Sequence, residues 1–177
     1  MALLVLSVVG SDRPGLTKAL AGAVLSAGGN WLESHLSRLG GLYVGSVLVE
    51  LAQDKVEALR AAVAAVDAEG LEVRIAPATE DPAPEDKGAA GETLELSLVG
   101  QDRPGIVDLV TKAVSSLGVN IEALDTWLGA EPHSGAPLFH MAAELRLPQG
   151  LSADEVQAAL EAISGEIMVD VAVGGAG

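Results

Sequence analysis

Two short segments of the sequence carry residues whose types and spacing could bind a charged ligand. Each has the pattern Gly-x-Asp-Arg-Pro-Gly, at positions 10–15 and 100–105, between a strand-like run and a helix-like run. Backbone N–H groups at the start of a helix favour an anion such as a carboxylate. Glycine at Gly15 and Gly105 leaves room for a ligand to approach the backbone. Each turn therefore predicts a small anion-binding site.

An asparagine follows each turn, at the start of the next predicted strand. The side-chain amides of Asn30 and Asn120 offer both a hydrogen-bond donor and an acceptor. Such a group suits the carboxylate and ammonium groups of an α-amino acid, and Asp12 or Asp102 could bind the ammonium. The alternative is structural: the aspartate caps the helix, the proline fixes its first turn and the arginine is solvated. The residues alone leave both interpretations open.

Other kinds of chemistry find little support in the sequence. The chain has no cysteine, which excludes disulfides and thiolate catalysis, and its three histidines have no metal-site spacing. No nucleophile–base set or phosphate-binding Walker loop is present. We therefore expect no catalytic residue, no metal ion and no cofactor.

The composition also restricts the class of partner. A net charge of −15 over 177 residues repels the phosphate backbone, so direct binding to nucleic acid is not expected. No apolar run reaches the roughly 18 residues of a membrane span, and the N-terminus has no signal-peptide pattern. These features predict a cytoplasmic protein without a membrane partner.

An internal repeat determines the domain organisation. Residues 4–16 align without gaps to residues 94–106, and the match continues from Gly28 and Asn30 to Gly118 and Asn120. The stretch between the copies is rich in proline, acidic and small residues and has no periodicity, as is typical of a linker. The sequence therefore predicts a first domain at 1–76, a linker at 77–91 and a second domain at 92–174.

The same elements are predicted in each copy. A strand of period two precedes each turn, and apolar residues at helical spacing follow it, with Pro14 and Pro104 in the first helical turn. Two strands come next, at 30–39 and 42–51 in copy one and at 119–130 and 137–147 in copy two. A second helix begins at Asp54 or after Ser152, which forms a capping box with Glu155. The last strands are at 71–76 and 166–173.

This order predicts an α+β fold of two ferredoxin-like βαββαβ modules. Each would be a four-stranded antiparallel sheet with two helices on one face. In copy one, the outward positions Leu3, Val5 and Val9 are apolar as well as the inward ones. We therefore expect the open sheet face of copy one to pack against the other copy or against another subunit.

The Asp-Arg-Pro-Gly turn followed by Asn30 or Asn120 resembles the ACT domain family of ligand-sensing modules. The tandem arrangement, with Asn120-Ile121-Glu122 and the 134–141 segment, resembles the family of the glycine cleavage system transcriptional repressor. Copy one departs from the usual Asn-Ile pair by having Trp31. By resemblance, the ligand-binding residues are Asp12, Arg13, Pro14, Gly15, Leu16 and Asn30, with Asp102, Arg103, Pro104, Gly105, Ile106 and Asn120.

The resemblance also implies a function. It implies a non-enzymatic regulator that binds a small amino acid, with glycine as one candidate, and that modulates a partner protein in transcriptional control of amino-acid metabolism. Such modules pair, either as a homodimer or within one chain, and ligands often lie at the interface. Two alternatives stay open: an assembly module without a ligand, and an acylphosphatase-like hydrolase in which Arg13 and Asn30 act on an acyl phosphate.

Overall fold

The computed structural model describes residues 1–68, 70–78, 92–131, 134–163 and 167–173. The chain divides into two compact units, Met1–Asp81 and Pro82–Gly177. Most of the predicted linker, residues 79–91, lies outside the described residues. None of the described helices is long and apolar enough to cross a membrane.

The first module has the predicted element order. A short 3₁₀ turn, Gln53–Lys55, precedes its second helix, so that helix begins at Val56 and not at the predicted Asp54. The four strands form an antiparallel sheet in the order β2-β3-β1-β4. The elements are β1 (Ala2–Ser11), α1 (Leu16–Ser26), β2 (Asn30–Leu39), β3 (Leu42–Leu51), α2 (Val56–Ala68) and β4 (Leu71–Pro77).

The second module repeats this arrangement. Its strands form an antiparallel sheet in the order β6-β7-β5-β8, which is the first module's order element for element. The predicted α+β fold of two ferredoxin-like βαββαβ modules is therefore confirmed. The elements are β5 (Thr93–Gln101), α3 (Ile106–Ser116), β6 (Asn120–Ala130), β7 (Pro137–Arg146), α4 (Ala153–Glu161) and β8 (Ile167–Val173).

Each module has its own hydrophobic core between the sheet and its two helices. Alternate residues of β1 are buried against the helices, whereas Ser7 and Val9 on the other face are exposed. The buried residues of α1 recur at helical spacing, as the apolar stripe predicts. The buried members named here are Leu4, Leu6 and Val8 of β1 with Leu16, Leu20, Ala23 and Val24 of α1.

The helix ends are partly as predicted. Gly28 and Gly118 have φ angles of 74° and 71°, so the predicted left-handed residue after each helix is present. Ser152 and Glu155 form the predicted capping box at the start of α4. The prediction for Pro14 and Pro104 is wrong, because both precede the helix instead of lying in its first turn. The glycine that follows each proline is left-handed, and helical geometry can begin only after it.

The open face of the first sheet is apolar at the positions that the sequence indicated. Leu3 and Val5 are half-buried there, and Val9 is 47% exposed. Packing of this face against another copy or subunit stays a prediction.

Candidate functional site

The two turns present the same backbone geometry at the start of α1 and α3. Gly15 and Gly105 are the N-cap residues, with φ angles of 96° and 89°. Neither helix start has a side-chain cap, so Asp12 and Asp102 do not cap their helices as the structural alternative predicted. Leu16 and Ile106 are buried and fix each helix start to its core. The first N–H groups of each helix are therefore available to an anion.

In the first module, the turn aspartate forms an ion pair. Arg38 Nε, near the end of β2, lies 2.6 Å from Asp12 Oδ2. The two side chains are 71% and 35% exposed. On the other side of the turn, an open depression of about 420 Å³ is lined by Arg13, Pro14, Gly15, Leu16 and Ala68. The first turn thus has two arginines beside it, Arg13 and Arg38, and its aspartate is paired with one of them.

A second contact fixes the first turn from the helix side. The hydroxyl groups of Thr17, in the first turn of α1, and Tyr43, on β3, are 2.7 Å apart and hydrogen-bonded. Tyr43 lies opposite Gly10 in the sheet, directly before the turn. Strand β3 is therefore connected to the start of α1 through side chains as well as through the core.

The second turn has a different setting. The backbone N–H of Asp102 donates to the Pro137 carbonyl at 3.3 Å, at the first residue of β7. The Asp102 side chain is exposed, and it makes no hydrogen bond or ion pair with any residue that the structure describes. Arg103 is half-buried, and Pro104 and Gly105 are exposed. The Asp102 carboxylate is thus accessible to a cationic group.

The asparagines do not lie beside the turns of their own modules. Asn30 pairs with Glu50, and Glu50 pairs with Leu3, so the asparagine lies level with the start of β1. The turn begins at Gly10, near the other end of β1. At 3.3 Å per residue, these positions are about 23 Å apart. Asn120 has the same place in the second module, opposite Arg146. One module therefore does not bring its turn and its asparagine together.

Asn120 belongs to a hydrogen-bonded chain of three side chains. Its Nδ2 donates to Glu122 Oε1 at 2.6 Å, and Arg146 Nε donates to the same carboxylate oxygen at 3.3 Å. Glu122 and Arg146 are 34% and 27% exposed, so the group is partly shielded from water. These contacts fix the amide and leave its carbonyl oxygen, Oδ1, without a partner among the described residues.

Asn30 has no such support. In the first module, Glu50 stands where the second module has Arg146, and Leu32 stands where it has Glu122. Leu32 and Glu122 each lie at a register shift in their strand. Trp31 is half-buried and packs against the core of the first module. The departure from the usual Asn-Ile pair therefore places the indole against the core.

Sequence reasoning missed the residues that distinguish the two sites. Arg38 and Arg146 act through their place in the strand register, which brings them to the turn or to Glu122 from distant parts of the chain. Glu122 lies only two residues from Asn120, but its hydrogen bond to the amide was not predicted. The only available signal was the alternation along β2 and β6. It indicates which face a residue occupies, but not which residue lies opposite it.

Trp127 of β6 and His140 of β7 form a stacked aromatic pair in the second module. Trp127 is 51% exposed and stacks on His140, with ring centroids 5.2 Å apart and planes 5° from parallel. Within the described residues, no three His, Asp or Glu side chains are grouped so as to hold a metal ion. His133 lies outside the described residues.

Comparison with known proteins agrees with the repeated fold. Residues 2–75 match the model of the ACT domain family. The structure is similar to that of an unknown protein from Galdieria sulphuraria, with a TM-score of 0.79, 28% identity and 96% of each chain covered. It is also similar to a candidate glycine cleavage system transcriptional repressor, with a TM-score of 0.67, 16% identity and 98% of each chain covered. No curated protein matches the chain significantly.

Proposed function

We propose that the protein is a non-enzymatic regulator that binds a small amino acid, because residues 2–75 match the ACT domain model and the second module repeats the fold of the first. Binding would change the stability of one conformation relative to another, and a partner protein would respond to that change. The structural similarity to a candidate glycine cleavage system transcriptional repressor makes transcriptional control of amino-acid metabolism the first context to test.

One observation carries this proposal: an aspartate stands beside each helix start that has no side-chain cap. The free N–H groups suit the carboxylate of an amino acid, and the aspartate suits its ammonium. Left-handed glycines at Gly15 and Gly105 let the ligand approach the backbone without a Cβ atom in the way. The two charges of the ligand are thus matched by opposite partial and full charges at the second turn, whereas the aspartate of the first turn is already paired with Arg38.

The asparagines would then be supplied by a second copy of the chain. A turn and an asparagine of one module are about 23 Å apart, at opposite ends of the sheet. In a symmetric dimer of modules, the turn end of one copy meets the asparagine end of its partner. We therefore propose a homodimer in which each ligand contacts two copies; pairing of modules within one chain is the alternative.

The hydrolase alternative lacks a common site in one module. An acyl phosphate is too small to reach from Arg13, after the end of β1, to Asn30, at the start of β2. An assay for acyl phosphate hydrolysis nevertheless tests it directly. Turnover that is lost in Arg13→Ala would contradict a non-enzymatic role.

The experiment for ligand binding is a thermal-shift screen of the full chain against the standard amino acids. A ligand that binds only the native state at a hundredfold excess over its dissociation constant stabilises by about 2.7 kcal/mol. Asn30→Ala or Asn120→Ala should reduce the shift, and the one that does so identifies the module that binds; Gln53→Ala, on an exposed 3₁₀ turn, is the control. If no amino acid changes the melting temperature, the protein is an assembly module without such a ligand.

A further inference from the structure

The two turns differ at the strand position that faces the aspartate. In the first module, Arg38 of β2 pairs with Tyr43, and Tyr43 pairs with Gly10 at the start of the turn. In the second module, Leu128 of β6 pairs with Phe139, and Phe139 pairs with Gly100 in the same way. Leu128 therefore occupies the place of Arg38. In the first module this place holds a guanidinium 2.6 Å from the turn carboxylate, and in the second it holds an aliphatic side chain that is 62% exposed.

The residues around the helix start are also more apolar in the second module than in the first. The hydrogen-bonded pair Thr17 and Tyr43 is replaced at equivalent positions by Val107 and Phe139. Phe139 is buried, and Val107 is 37% exposed. Beside the second turn, two apolar side chains, Val107 and Leu128, thus reach solvent where the first module has polar ones.

The asparagines differ as well. Asn120 is hydrogen-bonded to Glu122, and Glu122 is hydrogen-bonded to Arg146. Around Asn30, the corresponding positions are occupied by Leu32 and Glu50, which give no such contacts within the described residues. A fixed amide binds with a smaller loss of side-chain entropy than a mobile one. All three differences favour the second module as the binding module.

We propose that only the second module's turn binds the amino acid, and that the ligand carries an aliphatic side chain. This inference rests on the proposed function and deepens it. The N–H groups at the start of α3 bind the carboxylate, and Asp102 binds the ammonium. The aliphatic side chain contacts Leu128 and Val107. In the dimer, Asn120 of the second copy accepts a further hydrogen bond from the ammonium.

The first turn is unsuited to the same ligand because its carboxylate already has a cation. An incoming ammonium must displace the Arg38 guanidinium from Asp12. Exposed ion pairs are worth up to about 1 kcal/mol, so the competition lowers affinity up to about fivefold. The missing apolar neighbours lower it further, since one buried methylene corresponds to about a fourfold change in affinity.

The test is isothermal titration calorimetry of the full chain with glycine, valine and leucine, and with N-acetylvaline as a probe that lacks the ammonium. We expect one site per chain, valine or leucine binding at least about fourfold more tightly than glycine, and N-acetylvaline not binding. Leu128→Arg should weaken valine binding about fivefold, and Asp102→Asn by a similar factor. Asp12→Asn, at the matched position of the first module, should leave it unchanged.

Arg38→Leu gives the converse measurement, because it copies the second module's residue into the first. We expect weak binding at a second site in this variant. Glycine binding as tightly as valine, or an equal loss in Asp12→Asn and Asp102→Asn, would overturn the inference while the proposed function stands. Absence of binding by valine and leucine overturns the inference, and absence of any shift in the screen of the standard amino acids would overturn the proposed function itself. Melting temperatures of the variants show that each is folded.

Discussion

Arg38 and Asp12 form an ion pair with 2.6 Å between Nε and Oδ2, and this pair joins the end of β2 to the turn before α1. Its equivalent in the second module, Leu128 and Asp102, cannot form one. Because the module folds are otherwise the same in strand order, the exchange of one side chain changes the charge around a turn without changing the backbone that presents it. The duplicated fold can therefore serve two roles.

We predict that the Arg38–Asp12 pair contributes little to stability. Both side chains are substantially exposed, so a double-mutant cycle with Arg38→Leu and Asp12→Asn should give a coupling energy of about 0.2–1 kcal/mol. The coupling should decrease as salt is raised, because an exposed pair is screened. Urea denaturation at low and high ionic strength measures it. A coupling that is larger than this and independent of salt would contradict the assignment of the pair as solvent-exposed.

The left-handed glycine at the start of α1 is predicted to tolerate no side chain. Gly15→Ala should destabilise by about 1–2 kcal/mol, because a Cβ atom at a φ of 96° approaches the following carbonyl oxygen. Gly22→Ala in the middle of the same helix is the matched control. Nothing lies within 4 Å of a Cβ atom placed there, and alanine favours a helix, so this variant should gain up to about 1 kcal/mol. Opposite shifts in the denaturation midpoint confirm the prediction; equal shifts contradict it.

The capping box of α4 is predicted to make stability depend on pH. The hydrogen bond from the backbone N–H of Ser152 is the main cause that lowers the pKa of Glu155, and the Ser152 hydroxyl adds to it. Because the folded pKa lies below the unfolded one, the Glu155 contribution is complete above the unfolded value of about 4.3. It is lost as the pH falls through the folded pKa.

Two variants measure that dependence. Ser152→Ala should cost about 1 kcal/mol at pH 7, the usual loss for a serine N-cap. Glu155→Gln should be less stable than the wild type at pH 7, and the difference should shrink as the pH falls through the pKa of Glu155. Lys112→Gln, at an exposed i,i+4 pair on α3, controls for a general effect of charge. A difference for Glu155→Gln that is constant between pH 7 and pH 3 would contradict the assignment.

Each module is predicted to depend on its own core. Leu59 of α2 is 0% exposed within the first cluster, and Leu160 of α4 is 1% exposed within the second. Truncation of either to alanine should cost about 2–5 kcal/mol. Hydrogen exchange should accelerate mainly in residues 2–68 for Leu59→Ala and mainly in residues 93–161 for Leu160→Ala. Equal acceleration in both ranges after either change would contradict separate cores.

The fold could be predicted because local patterns determine it. The period-two strands, the apolar helix stripes and the Gly28 and Gly118 stops are each set by neighbours in sequence, and the repeat supplied every element twice. Pro14 was misplaced because a proline suits both a helix's first turn and the turn before it. The left-handed angle of Gly15 decides between these, and sequence alone does not show that angle.

The candidate site could be predicted only in part for a similar reason. The turn residues are adjacent in sequence, so their common place at a helix start follows from the motif. The distance between Asn30 and its own turn depends on strand order and register, which place the start of β2 at the opposite end of the sheet. The contacts of Arg38 with Asp12 and of Arg146 with Glu122 depend on the same register, so these differences between the two modules are visible only in three dimensions.

Glu122 is predicted to position the Asn120 amide, and this can be measured without a ligand. In Glu122→Ala the amide loses its 2.6 Å hydrogen bond to a carboxylate, so the side-chain Nδ2 resonances of Asn120 should move in a ¹⁵N-edited NMR spectrum. The sequence has one other asparagine, Asn30, whose side-chain resonances serve as the internal control. Arg146→Ala should move the Asn120 resonances less, because it leaves the Glu122 acceptor in place. Unchanged Asn120 resonances in Glu122→Ala would show that the amide is not held in this way in solution.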